Sequence, residues 1–214
     1  MSGKLIGWLG LVGVVSAIGF AQRFAGGKPP RNALFHYSTA AGELVTFAVI
    51  LAVALWIARG PALRELLALR RPRSWRRALW IAVSVLLLVY ALNAALDPLL
   101  HPGREQGLTP HGWQPAHAGA FAANVFAFAI VGPIVEELTF RGVGYGLLAR
   151  YGDTFAILAV GLAFGLWHGL VEALPILIAF GTGLAYLRSR TGSVYPGMLL
   201  HASFNAIALT VAVV

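Results

Sequence analysis

The sequence predicts an all-α protein, a polytopic transmembrane helix bundle with about seven spans. Its 214 residues are 58% hydrophobic and 11% charged, whereas about a quarter of the residues in a soluble domain are charged. The apolar runs are long and do not alternate with polar residues, which favours helices over the strands of a membrane barrel. At this length one bundle uses the whole chain, so we expect a single integral-membrane domain over residues 1–214.

Seven apolar segments follow one another along the chain. The first, after Lys4, ends on small residues but is long for a signal peptide, so we expect a retained span. Asp97 and Pro98 are expected to end the third, and Pro133 predicts a kink inside the fourth. The fifth and sixth are short, so one of them is expected to be tilted or partly re-entrant. The segments cover about residues 5–21, 44–58, 78–96, 117–150, 154–170, 173–187 and 194–214.

The basic residues fall between the apolar segments and predict orientation. Residues 59–77 form the most basic loop, which the positive-inside rule places in the cytoplasm together with the amino terminus. Arg150, Arg188 and Arg190 then fall on the same side, and a bacterial inner (cytoplasmic) membrane is the expected location. The net charge of +8 is explained by orientation and contact with anionic lipid at this loop, so we expect no nucleic-acid partner. The loop's arginines are Arg59, Arg64, Arg70, Arg71, Arg73, Arg76 and Arg77.

Several catalytic chemistries are excluded by residue content. The chain has no cysteine, which removes disulfides, thiolate ligands and a cysteine nucleophile together. No His-Glu-x-x-His zinc motif is present. The aspartates, Asp97 and Asp153, are expected in loops, which argues against an aspartyl dyad. Ser193 and Ser203 lack the glycine setting of a serine nucleophile.

The adjacent glutamates Glu136 and Glu137 are the most informative feature of the chain. An ionisable side chain at bilayer depth costs a few kcal/mol on insertion scales, so it is rare unless it is used. Glu137 and Arg141 are spaced i, i+4 and can pair on one helix face. Glu136 points about 100° away, which makes it the candidate working carboxylate. The alternative is that all three residues only lock helices together.

Two later segments bring further polar groups to membrane depth. His168 lies near the end of the fifth segment and could exchange protons, or it could be an interfacial residue beside a turn. His201 and Asn205 are spaced i, i+4 in the last segment and can donate hydrogen bonds toward one point, as an oxyanion requires. Together these residues suit hydrolysis by an activated water. A zinc site using Glu136, His168 and His201 is the alternative, because histidine and carboxylate suit catalytic zinc.

The three motifs occur in the order Glu136-Glu137-x-x-x-Arg141, Phe164-x-x-x-His168 and His201-x-x-x-Asn205. This pattern resembles the CAAX protease and bacteriocin-processing (CPBP, or Abi) family of glutamate-type intramembrane endopeptidases, which is related to the prenyl-protein peptidase. The resemblance implies that Glu136 and His168 activate water and that His201 and Asn205 form the oxyanion hole. It gives Glu137 and Arg141 supporting roles, and it implies no metal and no other cofactor.

The resemblance also implies a function and a division of the chain. The expected substrate is a membrane-associated protein or peptide cleaved near its C-terminus, and some family members resemble the sorting peptidases called myxosortases. Residues 117–210 would be the catalytic core, and residues 1–116 have no assigned role beyond a possible one in substrate preference. The alternative from another class is a non-catalytic membrane protein, such as an immunity factor, a scaffold or a small transporter.

Overall fold

The structure is a computed structural model that describes residues 3–26, 32–105 and 112–213. Across these residues the secondary structure is helical, without a β-strand, which confirms the predicted helix bundle. The predicted loops over residues 22–31 and 97–115 lie partly outside the described residues. The helices are α1 Gly3–Phe24, α2 Tyr37–Ala58, α3 Leu63–Leu67, α4 Trp75–Leu100, α5 Pro102–Glu105, α6 Pro115–Tyr151, α7 Asp153–Trp167, α8 Leu174–Thr191 and α9 Tyr195–Val211.

Four helices are long and apolar enough to cross a membrane by length and composition: α1, α2, α4 and α6. Their large outward side chains, such as Leu87, Leu88 and Phe126, are exposed apolar groups suited to lipid. Helix α7 has 15 residues and is about 22 Å long, which is shorter than the roughly 30 Å hydrocarbon core. The predicted short fifth segment is therefore present as a helix that cannot span the core by itself.

Several helix ends meet at one end of the bundle, here called the arginine end. The Lys4 ammonium at the start of α1 donates to the Ala58 carbonyl at the end of α2, over 3.1 Å. The Arg70 Nε donates over 2.8 Å to the carbonyl of Gly192, which follows α8. The Ser189 hydroxyl donates over 2.8 Å to Asp153 at the start of α7. The arginine-rich loop and the turn after α8 thus share one end, as the sequence predicts.

The predicted end of the third span at Asp97 and Pro98 is wrong. Helix α4 continues to Leu100 with Pro98 inside it, and it ends where the His101 N–H donates to the Asp97 carbonyl. Proline removes only one donor near the helix end, so the last turn is kept. Asp97 is therefore helical, and Asp153 is the first residue of α7. Asp153 lies at the arginine end. Asp97 lies about 33 Å from that end, measured along α4. This separation still argues against an aspartyl dyad.

Helix α6 is continuous but irregular. Its α-helical turn Gly132–Glu137 is flanked by two π-helical segments, Phe126–Val131 and Leu138–Gly144. Pro133, where the sequence predicts a kink, lies directly after the first of these wider segments. π-Helical turns alter the hydrogen-bond ladder of a helix and occur frequently at functional sites. The glutamate pair therefore lies at the end of a short regular turn between two irregular ones.

Each π-helical segment has a carbonyl that accepts a hydrogen bond from another helix. The Phe128 carbonyl accepts from the Asn205 amide of α9 over 2.8 Å. The Thr139 carbonyl accepts from the Trp8 indole of α1 over 2.9 Å, and Trp8 is fully buried. These bonds connect the first and last long helices to the irregular parts of α6.

Candidate active site

The ion pair of Glu137 and Arg141 lies in the interior, with both side chains 0% exposed. Arg141 Nη1 donates over 2.8 Å to Glu137 Oε1, and Nη2 donates over 2.8 Å to the Gly181 carbonyl of α8. The guanidinium also lies 4.4 Å from the Phe164 ring centroid of α7. Because an unpaired charge would be costly at this depth, the pair holds α6, α7 and α8 in one arrangement.

Glu136 points to a different environment from its neighbour. Its side chain is 12% exposed, and its Oε2 lies 3.7 Å from His201 Nε2. This distance exceeds that of a hydrogen bond, and Oε2 has no hydrogen-bond partner within the described residues. Glu136 therefore keeps an acceptor position free at the edge of the interior, which a general base requires.

His201 lies between the two glutamates. Its Nδ1 is 3.2 Å from Glu137 Oε1, and because that carboxylate only accepts, Nδ1 carries the hydrogen. The ring contacts Phe164 and Phe180, with centroids 5.6 Å and 5.3 Å away. Gly197, one turn earlier, lets α9 approach closely, since a Cβ there would collide with Glu137. The position of His201 thus depends on the buried ion pair.

His168 follows the last residue of α7. Its Nδ1 is 2.8 Å from the Phe164 carbonyl, so Nδ1 donates and the neutral ring keeps a free lone pair on Nε2. The charges of Glu136 and Arg141 act on this ring, as does His201. His168 can therefore accept a proton within electrostatic reach of the candidate carboxylate.

Asn205 lies one turn after His201 on α9. One of its amide hydrogens is used in the bond to the Phe128 carbonyl. The amide has a second hydrogen, so it is anchored to the π-helical segment of α6 while it can still donate elsewhere. Both predicted oxyanion donors are thus attached to α6 from the same helix.

The structure brings Glu136, Glu137, Arg141 and His201 into direct proximity. His168 joins them through electrostatic reach, and Asn205 through the backbone of α6.

Sequence reasoning missed the residues of the amino-terminal part that hold this arrangement. Trp8 had no distinctive signal, because a tryptophan one turn after Lys4 at the start of an apolar segment looks like an interfacial residue. Glu105 had none, since its partners, Arg23 and three backbone N–H groups after His168, lie far from it along the chain.

Glu105 holds the loop that follows His168. Its carboxylate accepts from the backbone N–H groups of Val171, Glu172 and Ala173 over 2.8, 2.7 and 3.0 Å. Arg23 Nε lies 2.8 Å away, and the Glu105 side chain is 0% exposed. Burial alone would raise the pKa of Glu105, but the three N–H groups and the Arg23 guanidinium outweigh it and hold that pKa below its usual range.

The same loop also contacts α1 through its backbone. Gly169 has φ +62°, and a Cβ there would collide with the backbone of Gly19. Only glycine fits a left-handed conformation in such a close approach without strain. The loop after His168 is therefore held by the amino-terminal part of the chain at two points.

The zinc alternative requires three ligands in one place. Among residues 3–26, 32–105 and 112–213, no group of three histidine or carboxylate side chains is arranged to hold a metal ion. His168 and His201 each use Nδ1 in another bond, which leaves Nε2 as the ring nitrogen that a metal would need. The absence of a cofactor stays a prediction, to be tested on the protein.

The fold and the site define a helical membrane protein whose interior holds a cluster of two glutamates, an arginine and a histidine. Residues 118–207 match the family model of the type II CAAX prenyl endopeptidase Rce1-like proteins. Over 86 residues, 40% of this chain, the sequence is 30% identical to YdiL, a provisionally named membrane peptidase of Bacillus subtilis (strain 168). That match covers 35% of the relative. No solved structure matches the chain.

These two matches confirm the resemblance to the CPBP family, and the family model covers the segment that carries every candidate residue. The family model is described as that of a CAAX prenyl endopeptidase, and the relative is described as a membrane peptidase. The matches cover less than half of this chain, so its whole activity, substrates and partners are proposed below.

Proposed function

We propose that this protein is an intramembrane endopeptidase that hydrolyses a peptide bond of a membrane-associated protein or peptide near its C-terminus. The observation that supports this best is the contrast between the adjacent glutamates. Glu137 is 0% exposed and forms an ion pair with Arg141, whereas Glu136 is 12% exposed and has no hydrogen bond to any charged group of the described residues. If the ion pair of Glu137 and Arg141 only stabilised the fold, the second carboxylate, Glu136, would not be needed.

In the proposed mechanism Glu136, assisted by His168, removes a proton from a water molecule. The resulting hydroxide attacks the carbonyl carbon of the peptide bond, and the carbonyl oxygen becomes negatively charged. The Asn205 amide and His201 donate hydrogen bonds to this oxyanion. The abstracted proton then passes to the leaving amine, which separates as the C–N bond breaks.

The oxyanion role sets the protonation state of His201. Nδ1–H is already directed at Glu137, so donation from Nε2 as well requires the doubly protonated ring. Glu136 and Glu137 lie on either side of this ring and balance its positive charge. Glu137 and Arg141 thereby support catalysis without contacting the substrate.

The test is Glu136→Gln compared with Glu65→Gln, a matched change at an exposed residue of α3. Glutamine keeps the shape but cannot accept the proton, so Glu136→Gln should lower turnover at least about a hundredfold with an unchanged melting temperature. Candidate substrates come from membrane-protein termini that appear only in cells carrying this gene. If folded Glu136→Gln protein cleaves such a substrate at the wild-type rate, the protein does not use this mechanism. A non-catalytic immunity or scaffold protein would give no cleavage in any variant.

We further propose that the arginine end faces the cytoplasm of a bacterial inner membrane and contacts anionic lipid headgroups. The cluster of guanidinium groups there supports this. The natural chain has no cysteine, so single cysteines at the exposed positions Ala62 and Ala116 can report sidedness. A membrane-impermeant maleimide should label the Ala116→Cys variant, but not the Ala62→Cys variant, from outside the cell.

A further inference from the structure

Glu43 is a third carboxylate near the candidate site that the mechanism does not use. It lies on α2, one turn before Phe47, whose ring lies 2.8 Å from the position a Cβ would take on Gly132 of α6. Gly132 is in turn one helical turn before Glu136. The i, i+4 spacings place Glu43 and Glu136 on the faces that the two helices turn toward each other.

The relative direction of α2 and α6 narrows the position of Glu43. Tyr37 approaches Gly119 and Phe47 approaches Gly132, so α2 and α6 run in the same direction. Glu43 therefore lies at the level of Phe128, the residue whose carbonyl holds Asn205. Measured along the helix axis, Glu43 lies farther from the arginine end than Glu136 does.

Glu43 is half-buried and has no partner within the described residues. None of their ion pairs or hydrogen bonds involves its side chain, whereas Glu137 has Arg141 and Glu105 has Arg23. The charged group that acts on it is Glu136, and that interaction is repulsive. The cations of the site are already engaged: Arg141 is bonded to Glu137 and Gly181, and His201, charged in the proposed mechanism, faces Glu137 through Nδ1.

An unpaired carboxylate on a membrane-spanning helix is costly, and the repulsion from Glu136 adds to the cost. A cation from outside the chain would reduce both the cost of leaving Glu43 unpaired and its repulsion from Glu136. We propose that Glu43 is a substrate-recognition residue that binds a lysine or arginine side chain of the substrate, close to the bond that is cleaved. This inference rests on the proposed function and adds a substrate class to it: peptides with a basic residue beside the scissile bond.

The experiment uses a set of peptides with one apolar membrane anchor and a fluorogenic cleavage region in which a single lysine is placed at each position in turn. The same set with glutamine is the reference. Wild-type protein should prefer the lysine peptide at one or two positions by about tenfold or more in kcat/KM. Glu43→Gln should remove this preference while cleavage of the glutamine peptides stays within about twofold. Glu43→Lys should reverse it in favour of glutamate peptides.

Two results would overturn the inference. Equal loss on lysine and glutamine peptides in Glu43→Gln would show that Glu43 acts on Glu136 or on folding, not on substrate charge. Equal cleavage of both sets by wild-type protein would show that no cation is recognised. Glu65→Gln is the control for the loss of one negative charge at an exposed site.

Binding separates this inference from the proposed function. Photo-crosslinking of the same peptides to the Glu136→Gln variant measures recognition without cleavage. If wild-type protein cleaves none of the peptides but lysine peptides crosslink better and lose this advantage in Glu43→Gln, the hydrolytic function fails and Glu43 recognition stands. If crosslinking does not depend on charge, Glu43 recognition fails whatever the catalytic result.

Discussion

Adjacent positions on a helix can give one residue type two different tasks. Glu136 and Glu137 differ by about 100° around α6, and this rotation decides their surroundings. Glu137 faces the guanidinium and the His201 ring, while Glu136 faces the edge of the interior. The i, i+4 spacing of Glu137 and Arg141 made their pairing predictable. The contacts of Arg141 with the Gly181 carbonyl and the Phe164 ring were not predictable, since they depend on how α7 and α8 pack.

Arg141→Ala tests the supporting role at the residue scale. The change leaves Glu137 buried and unpaired and removes the bond to Gly181, so the free energy of unfolding should fall by about 3 kcal/mol or more. Thermal unfolding in detergent should show a lower melting temperature, with activity falling as folded protein is lost. An Arg141→Ala protein as stable as wild type but inactive would place Arg141 in the chemistry instead.

Asn205→Ala tests the oxyanion donor. Because the amide meets the substrate oxygen fully only when negative charge develops, kcat should fall by roughly a hundredfold to a thousandfold with little change in KM. Ser203→Ala is the matched control, an exposed position two residues away on the same helix. A higher KM with unchanged kcat would indicate substrate binding. Loss of the bond to Phe128 alone would appear as lower stability with normal turnover per folded molecule.

At the scale of the element, the irregular helix α6 determines the site. Its apolar length was predictable from the sequence, and so was its irregularity near Pro133. The π-helical segments were not, because single-residue changes of hydrogen-bond register leave no pattern of hydrophobicity. Their carbonyls at Phe128 and Thr139 fix where α9 and α1 attach. The close approach of Gly197 to Glu137 likewise appears only once the helices are packed.

Glu105→Gln tests the loop after His168 through its pH dependence. The pKa of Glu105 is lower in the folded protein than its ordinary value of 4.5. Its stabilisation is therefore full above about pH 4.5 and is lost as pH falls through the folded pKa. Glu105→Gln should melt at a lower temperature than wild type at pH 7, and the difference should shrink between pH 5 and pH 3. A difference that is constant across this range would contradict an ionised Glu105.

The effect of Glu105→Gln on the loop after His168 can be measured separately. If the loop positions His168, Glu105→Gln should also lower kcat at pH 7 at a temperature where the protein stays folded. Glu65→Gln, at an exposed position of α3, should change neither the melting temperature nor kcat.

At the scale of the whole molecule, the sequence predicted the bundle, the order of the segments and the shared end of the arginine clusters. Hydrophobicity and charge determine these features locally. The attachment of the amino-terminal part to the catalytic segment was not predictable. It depends on contacts between residues more than a hundred positions apart, such as Trp8 and Thr139.

Metal dependence is also a property of the whole protein. With water activated by Glu136 and His168, purified protein should retain its activity after dialysis against a chelator and contain no stoichiometric metal. In the zinc alternative, chelation removes activity and added zinc restores it, because three protein ligands and a water form a catalytic zinc site. Elemental analysis showing about one zinc per chain, lost together with activity, would decide for zinc.

The place of His201 and Asn205 on α9 has a consequence for biosynthesis. A ribosome makes α6 before α9, so a growing chain holds the Glu136 carboxylate in the membrane before either oxyanion donor has been synthesised. Gly197 and the residues after it must then pack against Glu137 to complete the centre. In the proposed mechanism, a nascent chain therefore cleaves its neighbours far more slowly during insertion, and full activity is reached only when α9 has docked.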